Sequence, residues 1–200
     1  AIPALTVLVP MTLTSAGRPT PRERPQSGWR AAPPTSAAKG ATAGTAPGVC
    51  RSTDNGNTWA PVNNGLSTPR IFSLAVTPAG HLFAGSYEGM WRSTDAGESW
   101  KALNTGLTAA HVFRLAVNPA NHIYAASGAG VSRSTDSGAT WKLIKTGGTN
   151  PTAFSLILNE AGHIYAGCYD GLWRSTDEGR TWKSVSAGLS NPTVYSLAKD

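Results

Sequence analysis

The chain has 200 residues and a mass of 20.8 kDa, enough for one ordinary domain. It is 40% hydrophobic and 14% charged with 22 Gly and 14 Pro, a turn-rich composition that suits many short strands, and no run of 18 apolar residues marks a membrane-spanning helix. The net charge of +6 sits mostly in the first 40 residues (Arg18, Arg22, Arg24, Arg30 and Lys39 against Glu23), so the nearly neutral remainder lacks the basic cluster a nucleic-acid groove would need.

Residues 1–40 hold seven of the fourteen prolines, and stretches such as PTPRERPQ cannot keep a helix or a central strand. This segment is expected to be a disordered Pro/Arg-rich leader. Its apolar start, IPALTVLVPMTLTSA, has the length and polarity of a signal-peptide remnant, which points to an extracytoplasmic protein.

From residue 41 the chain repeats itself. RSTDNGNTW, RSTDAGESW, RSTDSGATW and RSTDEGRTW begin at Arg51, Arg92, Arg133 and Arg174, a uniform period of 41 residues. Phe72, Phe113, Phe154 and Tyr195 share one column, and His81, His122 and His163 share another. Within the second unit four short runs read as strands: 70–77, 81–87, 89–95 and 99–104. Pro78-Ala79-Gly80 separates the first two, and Asp95-Ala96-Gly97 turns between the last two. Four-stranded antiparallel sheets at this period predict an all-β fold over 41–200, a β-propeller or partial propeller with about four blades.

The repeated motif has the chemistry of a turn. Ser52, Ser93, Ser134 and Ser175, with Asp54, Asp95, Asp136 and Asp177, can hydrogen-bond nearby backbone. Gly56, Gly97, Gly138 and Gly179 permit positive φ at little cost, while Trp59, Trp100, Trp141 and Trp182 offer large surfaces to pack between sheets. The string Ser-x-Asp-x-Gly-x-(Thr/Ser)-Trp resembles the Asp-box, or bacterial neuraminidase repeat, over roughly 41–200. That resemblance implies a propeller of the kind found in sialidases, xyloglucanases, sortilin-type receptors and photosystem II assembly factor-like proteins. It also implies structural aspartates, on the face opposite the usual site. The unit rhythm is most similar to the assembly factor-like group.

Other readings of the repeats fail on their residues. The tryptophans are followed by Ala or Lys, which departs from a WD-type repeat, and the turns lack the bidentate Glu of a calcium loop. One histidine per blade, spread round a ring, holds no metal, and neither a metal nor another cofactor is expected. A resemblance to sialidases would require a trio of substrate-binding arginines, yet Arg51, Arg92, Arg133 and Arg174 are all the repeat residue. No two of the non-repeated acids form a recognisable glycosidase pair.

Function is therefore expected where the repeats disagree. Tyr87-Glu88 and Tyr169-Asp170 occupy second-to-third-strand loops whose counterparts are Ala46-Pro47 and Gly128-Ala129. Arg70, His111 and Asn150 lie in the connections between blades. A tyrosine beside a carboxylate can stack on and hydrogen-bond a sugar or peptide. The reading is a non-enzymatic module that presents loops to a protein or glycan partner. A glycoside hydrolase fragment and a sensor or assembly-factor domain are the alternatives. The repeats open in a second strand and end in a first strand, so the two ends either close a four-blade ring or leave sheets exposed for self-association.

Overall fold

A computed structural model describes residues 40–199, Ala46 and Pro69 excepted, so the expected leader lies outside the described residues up to residue 39. The described chain forms one three-stranded and three four-stranded antiparallel sheets, each strand hydrogen-bonded to its sequence neighbours. The first sheet holds β1 (Ala41–Thr45), β2 (Gly48–Ser52) and β3 (Ala60–Pro61). In the second are β4 (Ile71–Val76), β5 (Leu82–Ser86), β6 (Gly89–Ser93) and β7 (Lys101–Ala102). The third comprises β8 (Val112–Val117), β9 (Ile123–Ser127), β10 (Gly130–Ser134) and β11 (Lys142–Ile144). The fourth comprises β12 (Ala153–Leu158), β13 (Ile164–Cys168), β14 (Gly171–Ser175) and β15 (Lys183–Ser184).

The hydrophobic core lies between the sheets. Three clusters occupy the three seams: Val49 and Val62 meet Leu74 and Trp100, Phe83 and Met90 meet Leu115 and Trp141, and Tyr124 and Val131 meet Leu156 and Ile164. Strand alternation explains how one strand serves two seams. Along β5, Leu82 and Ala84 face the first sheet while Phe83 faces the third. Along β9, Ile123 and Ala125 face the second sheet, and Tyr124 and Ala126 face the fourth. Such strands are buried on both sides, which is why their sequence shows little polar alternation.

The inner strands β4, β8 and β12 each carry a register shift that leaves Phe72, Phe113 or Phe154 unpaired against the second strand. These bulge residues line up in a file with Tyr195, their ring centroids 5.9, 5.9 and 5.1 Å apart. The outer strands are shorter than the sequence pattern suggests, two or three residues each. Their entry is diverted, because the Trp100 and Trp141 amides donate to Asn64 O and Thr105 O of the preceding connection instead of extending their own ladders.

Among the described residues the two ends of the repeats form no ladder with one another. β1 pairs with β2, and residues 193–199 form no strand pairing. Among the described residues, therefore, no strand pairing closes the four sheets into a ring, one of the two arrangements the sequence allows.

Candidate functional site

Two clusters of side chains recur or stand out, and they do different work. The first is the turn between the third and fourth strands. Ser52, Ser93, Ser134 and Ser175 each donate Oγ–H to the Oδ1 of Asp54, Asp95, Asp136 or Asp177, at 2.7 to 2.8 Å. The same Oγ accepts the amide of Gly56, Gly97, Gly138 or Gly179. Each aspartate also accepts the amide and hydroxyl of the Thr or Ser four residues on. These bonds hold all four carboxyls down at about 2, the hydroxyl of Thr58, Ser99, Thr140 or Thr181 being the largest cause.

The tryptophans and arginines of the motif reach sideways. Trp100 and Trp141 donate Nε1–H to Val62 O and Leu103 O of the preceding sheet, at 2.7 and 2.9 Å. Trp182 instead bonds Gly179 O in its own turn, and Trp59 is 46% exposed. Arg51, Arg92 and Arg133 donate Nη1–H forward to Ala96 O, Ser137 O and Glu178 O, one turn further round the arc. Arg51 and Arg133 add ion pairs to Glu98 and Glu178. These arginines are occupied in joining sheets.

The second cluster lies on the loops. Tyr87 is 48% exposed and stacks on His111, its ring centroid 3.9 Å away at a 40° tilt. Arg70 sits over the same ring with Cζ 5.9 Å from its centroid, a cation–π arrangement. His111 in turn approaches Phe113, the bulge residue of the next inner strand, at 6.3 Å. The connections before β4 and β8 thus deliver Arg70 and His111 to a tyrosine on the β5–β6 loop.

The remaining loop residues behave differently. Glu88 accepts a hydrogen bond from the Ser67 hydroxyl at 2.9 Å, a partner that sequence reasoning missed. Asp170 is engaged by the Asn150 amide at 2.9 Å and by Trp173 Nε1 at 3.3 Å, so both of its oxygens are used to fix a loop. Tyr169 is 52% exposed, two sheets beyond Tyr87, with Thr152 and Thr193 where Arg70 and His111 flank its counterpart. Tyr169 therefore lacks the stack that Tyr87 has.

Histidine and cysteine are placed without a metal-like arrangement. The backbone amides of His122 and His163 donate to the side chains of Asn118 and Asn159, and that of His81 to Thr77 Oγ1, closing the first-to-second-strand turn. Among the described residues no three His, Cys, Asp or Glu side chains come together as a metal site would require. Cys50 and Cys168 are free thiols, and burial pushes that of Cys168 up to about 12.

The described fold is a β-propeller built of four-stranded antiparallel blades, with four blades represented. An ancestral GH74 enzyme superposes with a TM-score of 0.64 at 24% identity, over 76% of this chain and 23% of that one. The extracellular domain of a one component system of B. thetaiotaomicron gives a TM-score of 0.66 at 16% identity, over 78% of this chain and 23% of its own. YCF48 bound to D1 peptide gives 0.58 at 18% identity, over 74% of this chain and 50% of that protein. The chain thus spans between about a quarter and a half of these proteins, and at such identities the likeness is one of fold. No family model matches the chain, and no curated protein does.

Proposed function

We propose that the chain is a non-catalytic propeller module, acting outside the cytoplasm, that binds a protein or glycan partner on the loop face carrying Tyr87. The observation that carries this reading is the half-exposed Tyr87 ring in contact with both Arg70 and His111. A half-exposed aromatic fixed by two neighbours loses little freedom on binding and offers its exposed surface for contact. The adjoining guanidinium and imidazole supply donors for a carboxylate or hydroxyl. Similarity to YCF48, whose structure is of a peptide complex, and to an extracellular domain supports a partner and a compartment of this kind. The turn motif contributes rigidity to the scaffold, its carboxylates being saturated by local hydrogen bonds.

The test is a binding screen of the chain against peptide and glycan arrays, followed by titration of the best ligand. Tyr87→Ala is expected to weaken binding about tenfold or more, equivalent to ~1.4 kcal/mol, while Tyr169→Ala leaves it within twofold. Turnover of a fluorogenic sialoside or a β-glucan that disappears in Glu88→Gln would instead establish the glycoside hydrolase reading. That reading draws on the likeness to GH74 structures.

A further inference from the structure

The sequence contains two Asn-Gly dipeptides, Asn55-Gly56 and Asn64-Gly65, and the fold treats them differently. Asparagine before glycine is chemically fragile, because glycine has no Cβ to keep its amide nitrogen from the carboxamide carbon of the residue before it. In a folded chain the reaction runs only where that nitrogen and that side chain are free to meet.

At the first dipeptide they are held apart. Asn55 and Gly56 are the central pair of the Asp54–Asn57 turn, both left-handed at φ 59° and 89°. The Gly56 amide donates at 2.8 Å to Ser52 Oγ, and Ser52 is 1% exposed. That hydroxyl donates to Asp54, whose carboxylate binds Thr58 in turn. Attack by the Gly56 nitrogen requires this network to open.

The second dipeptide has no such restraint. Asn64 and Gly65 are the exposed central pair of the Asn63–Leu66 turn, closed by the Leu66 amide on Asn63 O at 2.9 Å. Among the described residues neither the Gly65 amide nor the Asn64 carboxamide has a hydrogen-bond partner. The carboxamides of Asn63 and Asn57, by contrast, are engaged by the Val49 amide and by Asp54 O. The glycine is required where it stands, with φ of 86° and its Cα so close to the Trp100 carbonyl that no Cβ would fit. Asn64 O meanwhile accepts the Trp100 amide at 2.9 Å, a contact of the seam between the first two sheets. The other units carry Thr105, Thr146 and Ala187 in this column, so the fragile pair belongs to one seam alone.

We propose that Asn64 is a site of spontaneous backbone modification, and that its isoaspartate product loosens the seam at Trp100. The Gly65 nitrogen gives its proton to solvent and bonds to Asn64 Cγ; the Cγ–Nδ2 bond breaks, Nδ2 takes up a proton, and ammonia leaves a five-membered succinimide. Water then opens the ring. Opening at Cγ gives aspartate in the ordinary linkage, and opening at the α-carbonyl gives isoaspartate, with the chain to Gly65 running through Cβ and Cγ. Each product exchanges NH2 for OH, consumes one water and changes no oxidation state. The isoaspartate lengthens the turn by one methylene, so the turn no longer fixes an oxygen beneath the Trp100 amide.

The folded chain incubated in mildly alkaline buffer tests this directly. Both asparagines fall in the tryptic peptide 52–70, and electron-transfer fragmentation assigns the modified position and its linkage. Modification at Asn64 should outpace that at Asn55 by about tenfold or more, the factor withheld by opening the Gly56–Ser52 bond alone. In guanidinium chloride the two positions should react alike. The isoaspartate form, separated by ion exchange, should melt below the parent and exchange its Trp100 amide faster. Freshly purified Asn64→Asp, which has the new charge in the ordinary linkage, should melt with the parent. Equal rates in the folded chain, no product at Asn64 while the unfolded chain reacts, or the same preference in the unfolded chain would each overturn the proposed site. An isoaspartate form that melts with the parent would overturn its effect on the seam.

Discussion

Trp100 donates its indole N–H to the carbonyl of Val62, 2.7 Å away and 38 residues earlier, and the contact is buried at the seam between the first two sheets. The bond fixes the angle at which one sheet meets the next, and the indole fills the space between them. Trp100→Ala is expected to cost about 3–5 kcal/mol in urea unfolding, through the cavity it opens and the carbonyl it strands. Trp100→Phe keeps most of the volume and should cost about 1–3 kcal/mol. Trp59→Ala should cost less than about 1 kcal/mol because its ring is already half in water. Equal losses at the two tryptophans would contradict this account of the seam.

The seams also depend on a pairing of sizes that the repeat alignment hides. Gly85 faces Val112, whose Cγ1 and carbonyl oxygen lie 2.8 and 2.9 Å from where a Cβ would stand. One period later the pair is Ala126 and Ala153, both fully buried in one cluster. Gly85→Ala alone is thus expected to destabilise by about 1–3 kcal/mol through overpacking. Combined with Val112→Ala it should recover part of that loss, with a coupling of about 1 kcal/mol in a double-mutant cycle. Strict additivity of the two changes would show that the side chains do not share this space.

How much of this could be read beforehand follows from what a repeat does and does not encode. The period placed strands and turns closely, because β5 and β6 lie within the runs 81–87 and 89–95. Tyr87, Arg70 and His111 were found as departures from the repeat, and the structure brings these three together. Partners of Arg92 and Trp100 were not legible, since they lie 45 residues ahead and 38 behind, in neighbouring units. A column alignment superposes units and so erases the contacts between them. For the same reason Trp59 looks identical to Trp100 in sequence, although only the latter has a described sheet to enter. Asp170 looked like a ligand group, and only coordinates reveal its two local partners.

Strain in the turns offers a route to a more stable chain. The residue between the aspartate and the glycine is left-handed in every copy, with φ of 59° at Asn55, Ala96 and Glu178 and 57° at Ser137. Asparagine tolerates that conformation, whereas alanine does so at a cost of roughly 1–2 kcal/mol. Ala96→Asn should therefore stabilise by about 0.5–1 kcal/mol. It keeps the backbone carbonyl that Arg51 holds, and the side chain it alters is exposed. Glycine at the same position should gain less, because it also adds freedom to the unfolded chain. A denaturation midpoint unchanged or lowered by Ala96→Asn would mean that the turn carries no such strain.

The four turn aspartates make stability depend on acid in a defined direction. Each carboxyl has an ordinary value of 3.8 and is held at about 2 by the hydroxyl and amide donors around it. The folded chain therefore binds these protons more weakly than the unfolded chain does, so the contribution is complete above about pH 4 and is lost as pH falls toward 2. Melting temperature followed by tryptophan fluorescence should hold steady from pH 6 to about 4.5 and then drop steeply. Asp95→Asn keeps an oxygen for the Ser93 hydroxyl and the Ser99 amide but places an NH2 where Oδ2 accepted the Ser99 hydroxyl. That variant should melt lower at pH 6 and show a shallower decline between pH 4 and 2, since one titrating group has been removed. Parallel curves for parent and variant would mean that Asp95 titrates alike in both states, and that its hydrogen bonds do not favour the ionised carboxylate in solution.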